Sequence, residues 1–256
     1  MFKKTSNCEI DIIVPNYNKA LFLDECINSI LNQTYKNWKL YIIDDCSSDN
    51  SFKIIEKYKN NNQIKIFKLR NNRGPSFCRN LGIRLSNSKF ISFLDSDDYW
   101  TNTKLDDQLN FMKQNNYDFT YSDYISFFEN KNNKKIIKTN IKKSFTLKEF
   151  ILNSSINSST VILSRRIIGN IKFKNTKLLE DYLFKCELLR KNIKAYKYNS
   201  ITAYYRILNN SRSNNKIKNM LSLWKINKHY NKLNFFENLK SIIFISFNSI
   251  KKYGLK

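Results

Sequence analysis

The chain is poor in residues that loosen or break a backbone: its 256 residues include four glycines and two prolines. So little of either excludes flexible linkers, collagen-like repeats and loop-only architectures. Histidine is scarcer still. His229 is the only one, and it lies in a C-terminal stretch of helical pattern where a surface or packing place is expected. A Ser–His–Asp set and a histidine-rich metal site are therefore excluded. Five cysteines, Cys8, Cys26, Cys46, Cys78 and Cys186, are odd in number, widely spaced and without a C-x-x-C pair. Free, mostly buried thiols of a reducing cytosol are expected rather than disulfides. No run of about 18 apolar residues occurs, which argues against a transmembrane helix. Nor does Met1 to Asp11 hold the apolar core of a cleaved signal peptide, so a cytoplasmic place is expected.

Acidic residues are also outnumbered, at 21 against 45 Lys+Arg, for a formal charge of +24. The excess is uneven: residues 1–100 carry 15 basic and 11 acidic groups, a net +4, leaving +20 for residues 101–256. A basic charge invites a nucleic-acid partner, but no zinc-finger spacing, basic zipper or aromatic RNA-binding signature accompanies it, and none is expected.

What the chain does have is one conspicuous stretch, Phe90 to Trp100, F-I-S-F-L-D-S-D-D-Y-W. Its apolar start reads as a buried strand that carries Asp95, Asp97 and Asp98 out of the core at its C-terminal end. Acids at a strand end are expected to be removable without harm to the core. Three carboxylates this close repel one another unless something positive sits between them. A lysine could do that, and Mg²⁺ or Mn²⁺ suits oxygen ligands better, with substrate phosphates filling the remaining positions. The plain alternative is an acidic turn capping the next helix.

Three strand–helix units precede it. Ile10 to Pro15 and a helix from about Ala20 to Gln33 come first, then Trp38 to Ile43 and a helix through Lys59, then Ile64 to Leu69 and a helix opened by Gly74-Pro75-Ser76. Such alternation with short joints predicts an α/β fold with a mostly parallel sheet and helices on both faces. Ligands bind beyond the carboxyl ends of such strands, which would gather Asn16 to Asn18, Asp44-Asp45 and Asp95 to Asp98 along one edge. Later come a helix from about Asn102, a strand from Tyr117 to Phe128, a basic hairpin or loop at 131–143, strands at Ser159 to Leu163 and Ile201 to Ile207, and a helix at Leu178 to Lys191. Helical patterning is expected from Lys216 onward.

The order of motifs resembles the family 2 glycosyltransferases, of GT-A fold. The matching pieces are I-I-V-P-N-Y-N (12–18), S-I-L-N-Q-T-Y (29–35), I-I-D-D-C-S-S-D-N-S (42–51), R-N-L-G-I (79–83), F-L-D-S-D-D (93–98) and L-E-D (179–181). The resemblance implies an enzyme that uses a nucleotide-sugar donor, usually UDP-linked. On it, Pro15 and Tyr17 line the nucleoside pocket and Asp45 recognises the base, with Arg79 near the nucleotide. Asp95 and Asp97 match the DXD signature, with Asp97 and Asp98 on the metal side. Glu180-Asp181 matches the acidic pair whose second member is the catalytic base; first-turn acids of a helix are the alternative. A sugar hydroxyl is a poor nucleophile near neutral pH, so a carboxylate must take its proton. The Q-x-x-R-W signature of processive synthases is absent, which favours adding one sugar at a time to a glycan or lipid-linked acceptor of a bacterial surface polysaccharide. Where many relatives carry a histidine, in the segment matching Tyr204 to Leu208, this chain has Leu208. A catalytically inactive member that binds a nucleotide sugar or polyanion is the competing reading.

Residues 1–210 are thus read as the catalytic domain and 211–256 as a basic amphipathic helical region. Phe236, Leu239, Ile243, Phe247 and Ile250 recur at helical spacing while Lys240, Lys251 and Lys252 fall toward other faces. Peripheral contact of 235–253 with the inner face of the cell membrane is expected, against packing on the catalytic domain or pairing in a dimer.

Overall fold

The computed structural model describes residues 8–130, 133–139, 142–208 and 215–253. The sheet is built on β1 (Ile10–Asn16), whose Ile10, Ile12, Ile13 and Val14 have no exposed surface, as a strand covered on both faces requires. It runs parallel to β2 (Trp38–Asp44) on one side and β4 (Phe90–Phe93) on the other, with β3 (Ile64–Lys68) parallel beyond β2. The connections are α1 (Ala20–Leu31), α2 (Ser51–Glu56) and α3 (Pro75–Leu85). Right-handed crossovers place α1 and α2 on one face, where they touch, and α3 on the other. Pro75 opens α3 where a backbone N–H would have no partner anyway. Gly82 lets α3 lie against β1, since a Cβ there would meet Ile13 Cγ2 at 2.5 Å.

Beyond β4 the pairing becomes mixed. β5 (Tyr99–Trp100) and α4 (Lys104–Gln114) lead to β6 (Phe119–Asn130), and β7 (Asn133–Thr139) folds back on β6 as a hairpin. Residues 131, 132, 140 and 141 of the expected basic hairpin lie outside the described residues. β8 (Ser144–Phe145), α5 (Leu147–Ile151), β9 (Ile162–Ser164), α6 (Arg165–Ile168), α7 (Glu180–Leu189) and β10 (Ala195–Ile207) follow. β9 is antiparallel to both β4 and β6, and β10 is parallel to β6 and antiparallel to β5 and β8. Among the described residues the main path of the sheet is β3-β2-β1-β4-β9-β6-β10-β5. The parallel pairing expected from the strand–helix alternation holds over the first four strands of that path. The hairpin, and short strands without a crossover helix, bring antiparallel pairing after them.

Two boundaries differ from expectation for local reasons. β10 starts six residues before Ile201, because register shifts between Tyr198 and Ala203 break its alternation. The strand expected from Ser159 begins at Ile162, because Ser158 to Thr160 form a 3₁₀ turn held by Asn157, whose side chain accepts the Ser159 N–H. The C-terminal helical stretch is two helices, α8 (Lys216–His229) and α9 (Phe235–Tyr253). A capping box starts the second: Asn234 Oδ1 accepts the Glu237 N–H and Glu237 Oε2 accepts the Asn234 N–H, each at 2.9 Å. The boundary expected at 210 falls outside the described residues.

Candidate active site

The carboxyl ends of β1, β2 and β4 form one edge, at the point where the chain order reverses between β1 and β4. Asn16 ends β1 opposite Asp44, and its Nδ2 donates to Asp44 Oδ1 at 2.8 Å. Asp44 also accepts the Ser47 hydroxyl and N–H, so it holds the turn after β2. Asp45 is 3 % exposed, and its two oxygens accept the Arg73 and Gly74 N–H groups at 2.7 Å each. The residue after it, Cys46, has φ of 61°, a conformation uncommon for a side chain with a Cβ. Pro15 is half-buried at the end of β1, and Tyr17, 48 % exposed, stands clear of the core.

The three acids after β4 have three different surroundings. Asp95 is the most open and is bound by Arg79 at 2.6 Å. Asp97 Oδ2 lies 2.6 Å from Lys19 Nζ, so a lysine does neutralise the cluster at this position. Burial raises the Asp97 carboxyl above its ordinary value, with Lys19 opposing and Asp95 adding to the rise. Asp98 is 1 % exposed, and its oxygens accept the Ser159 hydroxyl at 2.6 Å and the Arg206 N–H at 3.0 Å. Burial and then repulsion from Asp97 and Asp95 push its carboxyl well up. The expectation that every acid here is a dispensable strand-end group is corrected for Asp98, which β10 encloses and which ties β10 to the end of β4.

Arg79 is buried: at 5 % exposure it reaches from α3 to Asp95 and, through Nη1, to Glu180 Oε1 at 3.4 Å. Burial would lower its pKa, but Asp95, Glu180 and Asp181 outweigh that and raise it. One guanidinium thus joins two segments that are 85 residues apart in sequence, Asp95 and Glu180. Leu179 turns the chain into α7 at φ of 62°, placing Glu180 and Asp181 in the first turn. Asp181 Oδ2 accepts Ser158 Oγ at 3.1 Å and Lys185 Nζ at 2.8 Å, while Oδ1 has no partner among the described residues. Burial acts to raise the Asp181 carboxyl, yet Lys185, Arg79 and Ser158 hold it down at about 2. It is therefore ionised at neutral pH.

No group of three or more His, Cys, Asp and Glu arranged to hold a metal occurs among the described residues. The chemistry of the donors still fits Mg²⁺ or Mn²⁺, which is commonly held by one or two carboxylates together with substrate phosphates. Asp97, with an oxygen already occupied by an ammonium, is the group so placed; Asp98 stands enclosed behind it. A depression of about 510 Å³ bordered by Gly169, Lys172, Lys174, Glu187 and Lys191 shares no residue with this cluster.

Sequence reasoning missed Lys19, Ser158, Ser159, Lys185 and Arg206. The two serines follow Asn157 in a run of small polar residues, a turn signal without a chemical one. Lys185 is one helical turn from Asp181, the spacing of a helix ion pair, and that signal was present.

Residues 11–174 match the family described as Glycosyl transferase family 2. The chain is 34 % identical over 219 residues to the UDP-Glc:alpha-D-GlcNAc-diphosphoundecaprenol beta-1,3-glucosyltransferase WfgD of Escherichia coli, covering 85 % of this chain and 84 % of that protein. Its structure is similar to S. aureus TarS 1-349 in complex with UDP-GlcNAc, with a TM-score of 0.71 and 20 % identity over 95 % of this chain and 73 % of that one. It is also similar to the mannosyltransferase PcManGT from Pyrobaculum calidifontis in complex with GDP-Man and Mn²⁺, with a TM-score of 0.68 and 10 % identity over 97 % of this chain and 76 % of that one. At these identities the two structures establish a shared fold.

Proposed function

The chain belongs to glycosyl transferase family 2, and from that premise we propose that it transfers one sugar, with inversion, from a UDP-linked donor to a lipid-linked or glycan acceptor in the synthesis of a bacterial surface polysaccharide. Glycosyl transfer follows from the family. The donor and acceptor classes are supported by the UDP-Glc and diphosphoundecaprenol in the name of the E. coli relative and by the UDP-GlcNAc bound to TarS. The observation that carries the proposal is Arg79, which brackets Asp95 and Glu180 and so keeps the donor-side acids and the Glu180-Asp181 pair within the span of one side chain.

In this reading Pro15 and Tyr17 flank the nucleoside, and Asp45 faces the base from the end of β2. Asp95 and Arg79 set the position of the donor beside Glu180. Asp181 Oδ1 accepts the proton of the acceptor hydroxyl as its oxygen bonds to the anomeric carbon. The bond from that carbon to the diphosphate breaks in the same displacement, and its electron pair leaves with the nucleoside diphosphate. Attack from the opposite side inverts the configuration. When bound, Mg²⁺ or Mn²⁺ at Asp97 would neutralise charge developing on the departing diphosphate, and the Mn²⁺ complex of PcManGT supports a metal of this kind. A lipid-linked acceptor would be met at the cytoplasmic face of the membrane.

The test is a panel of nucleotide sugars incubated with the protein and Mn²⁺, read as nucleoside diphosphate release, with the Asp181→Asn variant alongside. Release from UDP-sugars is expected, along with an Asp181→Asn variant that binds UDP normally but is slowed by about 10²–10⁴. Binding of UDP without release from any donor would leave the inactive, binding-only reading standing.

A further inference from the structure

Helix α9 packs one narrow side on the protein and leaves most of its apolar residues outside that contact. Its inward side carries Ile242, 8 % exposed and part of the core, with Ile245 packed against that core, beside Asn238 and Ser241 at 1 % and 0 % exposure. Asn238 Nδ2 donates to Trp224 O at 3.0 Å, Ser241 Oγ donates to Ile151 O at 2.7 Å, and Ser241 Oγ accepts from Asn227 Nδ2 at 3.0 Å. These bonds fix which side faces the body. Its outward side holds Phe236, Leu239, Ile243, Phe247 and Ile250, between 40 % and 78 % exposed and three or four residues apart. The apolar stripe therefore does not pack on the catalytic body, as one reading of the sequence allowed. Helix α8 adds Ile217, 71 % exposed, and Leu221, 58 % exposed. An exposed apolar stripe that runs along α9 marks an interaction surface.

The charge around it decides the partner. Residues 215–250 hold six lysines, at 216, 218, 225, 228, 232 and 240, and every one is exposed. The single acid in that span, Glu237, is folded into the capping box. We propose that the α8–α9 hairpin docks the enzyme on an anionic lipid bilayer, with α9 lying in the plane of the interface, its outward apolar stripe against the acyl chains and the lysines of the hairpin among the headgroups. An apolar face beside basic groups on a helix of this length fits an interfacial helix, and no helix among the described residues is long and apolar enough to cross a membrane. A second copy is the poorer occupant, because face-to-face pairing would oppose two sets of lysines, whereas anionic headgroups neutralise them. The purpose of such docking rests on the proposed lipid-linked acceptor; the surface itself does not.

The experiment is co-sedimentation of the full chain with vesicles of phosphatidylcholine alone and of phosphatidylcholine with phosphatidylglycerol, across a salt series. A Phe236→Ser/Phe247→Ser double variant runs in parallel, with its fold checked by circular dichroism and its UDP affinity by calorimetry. Binding selective for the anionic vesicles, weakened by salt and reduced about tenfold or more in the variant at unchanged UDP affinity, is expected. Equal binding to both vesicles, equal binding by both proteins, or a dimer that the two substitutions dissolve would each overturn the proposal. Donor hydrolysis in solution, measured on the same samples, separates the two readings. Lost docking with intact hydrolysis refutes the membrane surface alone, and lost hydrolysis with intact docking refutes the activity alone.

Discussion

Lys185 Nζ lies 2.8 Å from Asp181 Oδ2, one turn further along α7, and is itself buried beneath the 157–160 turn. The ammonium also donates to Ile156 O at 2.7 Å and Ser158 Oγ at 3.3 Å, so all three of its protons have acceptors and it cannot swing away cheaply. It is the largest influence holding the Asp181 carboxyl at about 2, below its ordinary 3.8. A depressed carboxylate pKa keeps the base ionised as pH falls, so activity that needs the ionised form survives into acid. Lys185→Met should raise the pKa of Asp181 and move the acid limb of kcat/KM to higher pH, with a smaller loss at neutral pH than Asp181→Asn shows. The check is a pH–rate profile of the three proteins; an unmoved limb would make Lys185 a packing residue only.

Asp98 should behave as a structural acid. Asp98→Ala leaves the Arg206 N–H and the Ser159 hydroxyl without their acceptor, at a cost of about 1–3 kcal/mol. Asp98→Asn keeps an acceptor and removes the charge. Because the folded pKa of Asp98 is raised above its unfolded value, the stability this group contributes is full below about 3.8 and is lost as pH rises through the folded value. The wild type should therefore gain stability on acidification relative to Asp98→Asn, and the asparagine variant should be no less stable at neutral pH. Denaturant unfolding across pH measures both.

The parallel half of the sheet was legible because each strand is a short apolar run, each joint is brief and each helix keeps its period. The second half was not, for reasons visible in single residues. Tyr198 to Ala203 break the alternation of β10, and β5 and β8 are two residues each, below the length at which any pattern can be read. Asp95, Asp97 and Asp98 could be seen in the sequence, but not their separate fates. What encloses Asp98 is the backbone of Arg206, 108 residues away. That a lysine could neutralise the acids was foreseeable, and that it is Lys19 depends on how the turn after β1 meets the turn after β4. The apolar stripe of α9 was plain in the sequence. Which way it faces depends on Ser241 meeting Ile151, and no local pattern encodes that contact.

Cys46→Gly should stabilise the fold. A side chain with a Cβ at φ of 61° is strained by about 1–2 kcal/mol, and glycine returns part of that gain through the larger freedom of its unfolded chain. A net gain of about 0.5–1 kcal/mol is expected. Urea unfolding would show it as a higher midpoint at unchanged slope, and a lower midpoint would mean that the 3.4 Å contact of Cys46 Sγ with Arg70 O outweighs the strain.

Asp45 offers the sharpest separation of roles, because its carboxylate is already occupied by the protein. Its two oxygens accept the Arg73 and Gly74 N–H groups, and its own carbonyl accepts from Asn72 Nδ2 at 3.2 Å, so it fastens the loop before α3 to the end of β2. Each carboxylate oxygen has a further lone pair, and on the proposed function one of them meets the N–H of uracil. Asp45→Asn turns one acceptor into a donor facing a backbone N–H, which should loosen the loop and weaken UDP binding by about 1–3 kcal/mol. A fastening role alone would weaken UDP and CDP equally, since the loop meets both in the same way. A base-reading role predicts more: cytosine offers an acceptor where uracil offers its N–H, so the amide should favour CDP relative to the wild type. The expected outcome is weaker UDP binding together with a lost preference for UDP over CDP, measured by calorimetry on both nucleotides. Parallel weakening, with the ratio unchanged, would remove Asp45 from recognition of the base and leave it as the fastener of the loop.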